Sequence, residues 1–245
     1  MSRIVISDVH GTYKTLMALV AKLPPEVPIT FAGDLVDRGL DSRKVVEFVK
    51  NGGYDCVVGN HEQMMIDELQ FRTKPDGTQH AFTDHYHGIW EMNGGDRCLE
   101  SYRIDATEEM ASGEIVKTRP YDIAALKEHL AWMKTLPVYI EYKDCRNAKG
   151  DYLLVSHSTA AYAWDEYPHD SPQFRDNLLW ERTPYPAKIE GIYSVYGHTP
   201  QRGGATVKEH FACIDGGAYF KREPYGRLIA LQYPEMIVVE QENVE

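Results

Sequence analysis

Three short apolar runs, separated by two helical patterns, occupy the first 58 residues and constrain the fold more than any other feature. The runs are Arg3–Ser7, Ile29–Ala32 and Asp55–Val58. Between them, apolar residues recur at helical spacing, first from Leu16 to Leu23 and then from Val45 to Val49. This strand–helix–strand–helix–strand order predicts a parallel sheet with right-handed crossovers, and therefore an α/β protein.

Each of these three runs is followed by a polar segment that contains glycine. The segments are Asp8-Val9-His10-Gly11, then Gly33-Asp34-Leu35-Val36-Asp37-Arg38-Gly39, then Gly59-Asn60-His61-Glu62. In open α/β sheets, ligands bind just beyond the carboxyl ends of the strands. The three segments are therefore predicted to meet at one edge of the sheet and to form a site there.

The rest of the chain predicts an irregular insertion followed by a second, mixed sheet. Residues 71–120 show no clear periodicity, and their aromatic residues either stack on a ligand or form the core of a lid. A helix is expected at 124–133, and strands are expected at 138–142, 153–156, 195–197, 212–215 and 228–233. We expect one domain over residues 1–245. The aromatic residues considered for stacking or for the lid core are Phe82, Tyr86, Trp90 and Tyr102.

The charge and the cysteines narrow the classes of function. The net charge of −11 gives no electrostatic basis for binding a nucleic-acid duplex or a membrane surface. A phosphate ligand would therefore need cations at its site. The four cysteines are widely scattered, which predicts neither a disulfide framework nor a zinc ribbon. Without a signal peptide or a long apolar run, the chain is expected to be cytoplasmic.

Each polar segment has an ordinary explanation when it is taken alone. Asp8 is suited to cap a helix, Asp37-Arg38 to form a surface ion pair, and Asn60 to occupy a turn. Two further strand-end histidines, His157 and His198, make the joint pattern more specific. Carboxylates, an amide and imidazoles at neighbouring strand ends are ligands for divalent metal ions. The combination therefore predicts a metal site.

These five segments resemble the motifs of the calcineurin-like metallophosphoesterase superfamily, and most of all its bacteriophage-lambda type serine/threonine protein phosphatases. The shared patterns are Asp-x-His-Gly, Gly-Asp-x-Val-Asp-Arg-Gly, Gly-Asn-His-Glu, a strand-end histidine and Gly-His-Thr-Pro. Ser7 departs from the usual glycine, Val58 from a frequent arginine, and Ser158-Thr159 from small apolar residues. The resemblance implies an αββα sandwich of two mixed sheets flanked by helices.

The resemblance also implies a role for each of ten residues. Asp34 would bridge two divalent metal ions. The expected metal is Mn²⁺, and iron and zinc are the alternatives. His61 would be the general acid, with Asp37 orienting its ring. Arg38, Asn60 and Arg182 would bind the substrate phosphate, and Arg175 competes with Arg182 for this role. The metal ligands implied are Asp8, His10 and Asp34 for one ion, and Asp34, Asn60, His157 and His198 for the other.

The implied activity is hydrolysis of phosphate monoesters by direct attack of a metal-bound hydroxide. The substrate would be a phosphoprotein, with phosphoserine or phosphothreonine and also phosphotyrosine, or a phosphorylated small molecule. A hydrolase of dinucleoside polyphosphates is the nearest alternative, although its symmetrical class usually has alanine at position 37 and aspartate at position 62. Asp37 and Glu62 favour the protein phosphatase. A non-catalytic phosphate-binding module is the third alternative, and the intact ligand set argues against it.

Overall fold

The computed structural model describes residues 1–75, 77, 79–83, 88–110, 112 and 115–245. Within these residues, no helix is both long enough and apolar enough to cross a bilayer. The helices are α1 (Tyr13–Val20), α2 (Ser42–Asn51), α3 (Asn60–Glu68), α4 (Asp96–Glu100), α5 (Ile123–Met133) and α6 (Pro172–Trp180), and a π-helical segment spans Glu91–Gly95. The strands are β1 (Arg3–Ile6), β2 (Ile29–Phe31), β3 (Asp55–Cys56), β4 (Leu69–Thr73), β5 (Gln79–Thr83), β6 (Ala106–Glu109), β7 (Ile115–Thr118), β8 (Tyr139–Arg146), β9 (Tyr152–Ser156), β10 (Ile192–Tyr196), β11 (Thr206–Val207), β12 (Phe211–Cys213), β13 (Arg227–Tyr233) and β14 (Ile237–Glu242).

Two five-stranded mixed sheets form the centre of the fold. The first has the order β14-β13-β1-β2-β3, and its β1, β2 and β3 are parallel, as the sequence predicts. The second has the order β11-β12-β10-β9-β8, and its β9, β10 and β12 are parallel. Strands β13 and β8 join these parallel cores in antiparallel fashion. The predicted α/β class with two mixed sheets is confirmed.

Side-chain alternation along the strands packs the two sheets face to face. In β1, Val5 lies in the core between the sheets, whereas Ile4 and Ile6 lie in the core under the helices. In β9, Leu153 faces the first sheet, whereas Leu154 packs with residues of α6. Each sheet is therefore covered by helices on its outer face and by the other sheet on its inner face. This is the expected αββα sandwich.

The segment 71–120 is more regular than the sequence predicts. Its described residues include most of the paired strands β4 and β5, the paired strands β6 and β7, and α4, none of which the sequence predicts. Its hairpins expose largely polar strands and hence show little hydrophobic alternation. Trp90 and Tyr102 are fully buried, which fits the interpretation of these two as core residues. Tyr86 lies outside the described residues.

One buried carboxylate, that of Glu62, fixes the loops that follow β2 and β3. Its Oε2 accepts the N–H groups of Asp34 and Gly59, each at 2.8 Å. Its Oε1 accepts those of Leu35 at 2.8 Å and Val36 at 3.2 Å. Glu62 is in the first turn of α3, where a glutamate commonly accepts the N–H of the capping residue. One side chain therefore holds three consecutive loop residues against the start of a helix.

We predict that Glu62→Gln destabilises the protein by about 2–4 kcal/mol, because the amide –NH₂ would face N–H donors that the carboxylate now satisfies. The free energy of unfolding is to be measured by urea denaturation in the presence of a chelator, so that bound ions do not contribute. The matched control is Glu166→Gln at an exposed position. A loss as small as the control's would show that these hydrogen bonds do not stabilise the loops.

Candidate metal centre

The strand ends of both sheets converge on one site. Asp8 and His10 follow β1, Asp34 follows β2, His157 follows β9 and His198 follows β10. The sheets are linked here because the His198 N–H donates to Asp8 Oδ2 at 3.1 Å. The ten residues predicted for the site are all in this region, and eight of them are buried. Those eight are Asp8, His10, Asp34, Asp37, Asn60, His61, His157 and His198.

The first group of side chains consists of Asp8, His10 and Asp34. In this group, a histidine nitrogen directs its lone pair at two carboxylates. His10 Nδ1 lies 2.9 Å from the Val36 carbonyl, which can only accept, so Nδ1 carries the ring proton. Nε2 therefore presents its lone pair 3.4 Å from Asp34 Oδ2 and 4.0 Å from Asp8 Oδ1. Burial, followed by the charge of Arg38, holds the pKa of His10 well below its usual value. A neutral imidazole facing two carboxylates leaves a place that suits a cation.

The second group consists of Asp34, Asn60, His157 and His198. It repeats this arrangement on the other side of Asp34. His157 Nδ1 lies 2.9 Å from the Ala32 carbonyl, which again leaves Nε2 as the lone-pair atom. Nε2 lies 2.8 Å from Asn60 Oδ1, 3.1 Å from His198 Nδ1 and 3.4 Å from Asp34 Oδ1. The two Asp34 oxygens therefore face different groups. Two sets of three side chains could each hold a metal ion. One set is His10, Asp34 and His61, and the other is Asp34, His157 and His198.

Buried acidic groups give the site a strong requirement for positive charge. Burial, and then the neighbouring Asp215, raises the pKa of Asp8 well above its ordinary value. Burial, and then Glu62, does the same for Asp34. Burial also raises the pKa of Asp215 to about 7, against the hydrogen bond from Gly217. Divalent cations among these oxygens would remove the penalty of packing like charges, so the side chains present fit two metal ions.

The backbone of the site is strained. Of the seven described non-glycine residues with positive φ, six are predicted site residues. Left-handed backbone costs roughly 1–2 kcal/mol for most side chains, although less for aspartate. Strain of this kind concentrates where side-chain direction matters more than local stability. The six residues, with φ, are Asp8 (53°), His10 (46°), Asp34 (53°), Asp37 (71°), Arg38 (64°) and His198 (68°).

A hydrogen-bonded pair, Asp37 and His61, lies beside the first group. Asp37 Oδ2 is 2.6 Å from His61 Nδ1, and Arg38 Nη2 donates to His61 Nε2 at 3.0 Å. His61 Nδ1 therefore carries the proton and donates it to Asp37. Burial raises the pKa of Asp37 well above its ordinary value, and a hydrogen bond from Trp90 opposes this rise. Burial, then His10 and Arg38, holds the pKa of His61 well below its usual value.

The structure separates the two arginines that compete for one predicted role. Arg182 Nη1 donates to the His198 carbonyl at 3.3 Å, which places its guanidinium beside the second group. Arg175 Nη2 instead donates to Gln63 Oε1 at 2.5 Å. Arg38 stacks over the ring of Tyr219, with 4.3 Å between its Cζ and the ring centroid. Arg38 and Arg182 are thus the arginines whose contacts lie at the site.

The positions of Trp90 and Tyr219 and the supporting role of Glu62 are not predicted from the sequence. For Glu62, the signal was present as a glutamate three residues after the helix-capping Gly59. Trp90 reaches Asp37 across 53 positions of sequence, and no local pattern reports such a contact. Tyr219 packs edge-on against His10, with 5.3 Å between ring centroids, and it too comes from a distant loop.

The chain is similar in sequence to named phosphatases and similar in fold to a solved phosphoesterase. The chain is 29% identical over 229 residues to serine/threonine-protein phosphatase 1 of Salmonella typhimurium, covering 88% of this chain and 86% of that protein. It is 42% identical over 253 residues to the symmetrical bis(5'-nucleosyl)-tetraphosphatase of Klebsiella pneumoniae, covering 89% and 87%. The fold is similar to that of a metallophosphoesterase from Sphaerobacter thermophilus, with a TM-score of 0.53, 18% identity, and coverage of 100% and 88%.

The family profile described as calcineurin-like phosphoesterase matches residues 1–202, which is most of the chain and includes every predicted site residue. The resemblance found in the five sequence motifs is therefore confirmed over the same strand ends that carry the two groups of potential metal ligands. The protein is a hydrolase that belongs to the calcineurin-like phosphoesterase family.

Proposed function

We propose that this protein is a two-metal phosphatase that removes phosphate from phosphoserine and phosphothreonine in proteins. The observation that carries the proposal is the 2.6 Å contact between Asp37 and His61, beside the potential metal ligands. A serine or threonine alkoxide is a strong base, so it must take up a proton as it leaves phosphorus. A histidine held by a carboxylate is well suited to supply that proton.

We assign one metal ion to Asp8, His10 and Asp34, and the other to Asp34, Asn60, His157 and His198. Asp34 would bridge the two, since its Oδ2 faces His10 and its Oδ1 faces His157. When such a pair of cations is bound, it activates a water molecule and neutralises charge on the phosphoryl oxygens. The oxygen and imidazole donors suit Mn²⁺, and they also suit iron or zinc.

The arginines of the site would bind and orient the substrate phosphate. Arg38 and Arg182 present guanidinium groups, whose planar fork matches a phosphate group. Arg38 now donates to His61 Nε2, so a phosphate that binds Arg38 competes with this hydrogen bond. His61 Nε2 would then be free to take up a second proton, so that the cationic ring donates this proton to the leaving oxygen. Nδ1 keeps its own proton in the hydrogen bond to Asp37, which orients the ring.

Hydrolysis of dinucleoside tetraphosphates is the second candidate function. A relative carries that activity in its name, and one aromatic side chain favours it. Trp180 is 43% exposed, and its ring centroid lies 6.2 Å from that of His198, so it offers a flat surface on which a nucleobase could stack. However, a nucleotide leaves as a stable phosphate anion and gains little from a general acid. The Asp37–His61 pair therefore supports the phosphoprotein substrate.

We predict that Asp34→Asn abolishes activity and the binding of two Mn²⁺ ions together, because one carboxylate serves both sites. Bound metal is to be measured by calorimetry and elemental analysis, alongside hydrolysis of para-nitrophenyl phosphate. Asp165→Asn, at an exposed position, is the control and should keep both properties. An Asp34→Asn protein that bound both ions and turned over at a near-native rate would exclude the bridging assignment.

We predict that His61→Asn lowers kcat for a phosphoserine peptide by roughly 10²–10⁴-fold, the usual worth of a positioned acid. KM should change little, since the bound substrate does not need the proton. The loss should be much smaller for para-nitrophenyl phosphate, whose leaving group needs no protonation. The control is His80→Asn on the exposed face of β5. Equal losses for both esters would remove His61 from the acid role.

We predict that kcat/KM for phosphoserine or phosphothreonine peptides exceeds that for diadenosine tetraphosphate at the same Mn²⁺ concentration. The comparison requires initial rates of phosphate or nucleotide release under identical conditions. A tenfold preference for the dinucleotide corresponds to only about 1.4 kcal/mol of transition-state binding. That result would reverse the assignment of substrate while leaving the proposed metal sites and acid intact.

A further inference from the structure

Trp90 makes a contact that the proposed function does not use. Its side chain is fully buried, and its indole Nε1–H lies 2.9 Å from both Oδ1 and Oδ2 of Asp37. Asp37 is also fully buried, so its carboxylate is not in contact with bulk solvent. The same carboxylate accepts His61 Nδ1–H at 2.6 Å. Asp37 is therefore held between two ring N–H groups that come from different parts of the chain.

The surrounding structure fixes the position of Trp90 as well. Its backbone N–H donates to Glu68 Oε1 at 3.0 Å, and Glu68 is the last residue of α3, the helix that His61 helps to begin. Gly95 lies against the indole ring, where an added Cβ would be only 2.6 Å away. The contacts thus form a closed ring of interactions, which runs from Asp37 to His61, along α3 to Trp90, and back to Asp37.

The indole N–H of Trp90 helps to fix the position of the Asp37 carboxylate. A carboxylate that accepts one hydrogen bond can still move with its side-chain torsions. The indole Nε1–H lies within hydrogen-bonding distance of both oxygens and therefore anchors the carboxylate at a second point. An anchored carboxylate holds Oδ2 where His61 Nδ1 meets it, and that contact sets the direction of the opposite ring atom, Nε2. Nε2 is the atom that would deliver the proton.

We propose that Trp90 is a positioning residue for the general acid, acting through Asp37 to hold the ring of His61 in its productive orientation. The proposal rests on the proposed function, because it assigns Trp90 to the protonation of the leaving group. The segment around Trp90 also contacts the phosphate-binding arginine, since the Gly94 carbonyl accepts the Arg38 N–H at 3.4 Å. Segment 90–94 thus supports both the acid and the phosphate site.

The test is Trp90→Phe, which removes the N–H and keeps an aromatic ring. We expect kcat for a phosphoserine peptide to fall roughly 10- to 100-fold, less than complete loss of a general acid. We expect less than a threefold change for para-nitrophenyl phosphate, and little change in KM for either ester. An equal loss on both esters, or no loss on either, would overturn the proposal.

Two further variants separate positioning from a general effect on folding. Trp132→Phe changes a half-buried tryptophan that packs on the same hydrophobic core and makes a matched control. Adding Trp90→Phe to His61→Asn should cause no additional loss, because residues that act through one group are not additive. An additional loss of tenfold in that background would contradict the assignment. If Trp90→Phe fails to fold, benzothienylalanine at position 90 replaces the N–H with sulfur in a ring of the same shape.

A spectroscopic measurement tests the contact without using turnover. The chain has four tryptophans, and the indole proton of Trp90 can be assigned in a ¹⁵N–¹H spectrum by its loss in Trp90→Phe. We expect this proton to exchange slowly with solvent and to shift when Asp37 is changed to Asn. An unshifted, rapidly exchanging signal would overturn the proposal. Wild-type protein that hydrolyses neither ester would instead refute the proposed function, whatever the indole signal shows.

Discussion

The site depends first on the carboxylate of Glu62. By accepting N–H groups from Asp34, Leu35, Val36 and Gly59, it joins the loop after β2 to the start of α3. Backbone N–H groups buried without acceptors are costly, so this side chain makes an otherwise unfavourable loop stable. The strained Asp34 and the helix-starting Asn60 and His61 are consequently held in register. The proposed ligands and the proposed acid thus share one support.

Electrostatics explains why this arrangement suits metal ions. Asp8, Asp34 and Asp215 are buried near one another, and burial raises the pKa of each. The neighbouring His10 and His198 are held neutral, with pKa values below the usual range, so they do not offset this charge. A chain with a net charge of −11 must still receive an anionic substrate here. Cations bound among these oxygens would serve both needs.

The central architecture is predictable from the sequence, and so is the set of ten residues that the structure brings into one region, because both rest on local patterns. Strand ends rich in Asp, His and Asn are visible in the chain itself, as with Asp34 and His157. Helix α6 and strand β14 were not predicted, since α6 mixes polar and apolar residues without clear periodicity and β14 is a largely exposed edge strand. The contact from Trp90 to Asp37 depends on tertiary packing, which no local pattern encodes.

The face-to-face packing of the two sheets has a consequence for the mechanics of the molecule. Asp34 follows a strand of the first sheet, whereas His157 and His198 follow strands of the second, so an ion bound among them would connect one half of the sandwich to the other. Gly197 marks how close the halves come, because a Cβ there would overlap Ser7 and Asp8. The inter-sheet core therefore acts as a spacer for the site, and substitutions at core positions such as Val5 would alter the spacing of the two sheets and, with it, the geometry of the site.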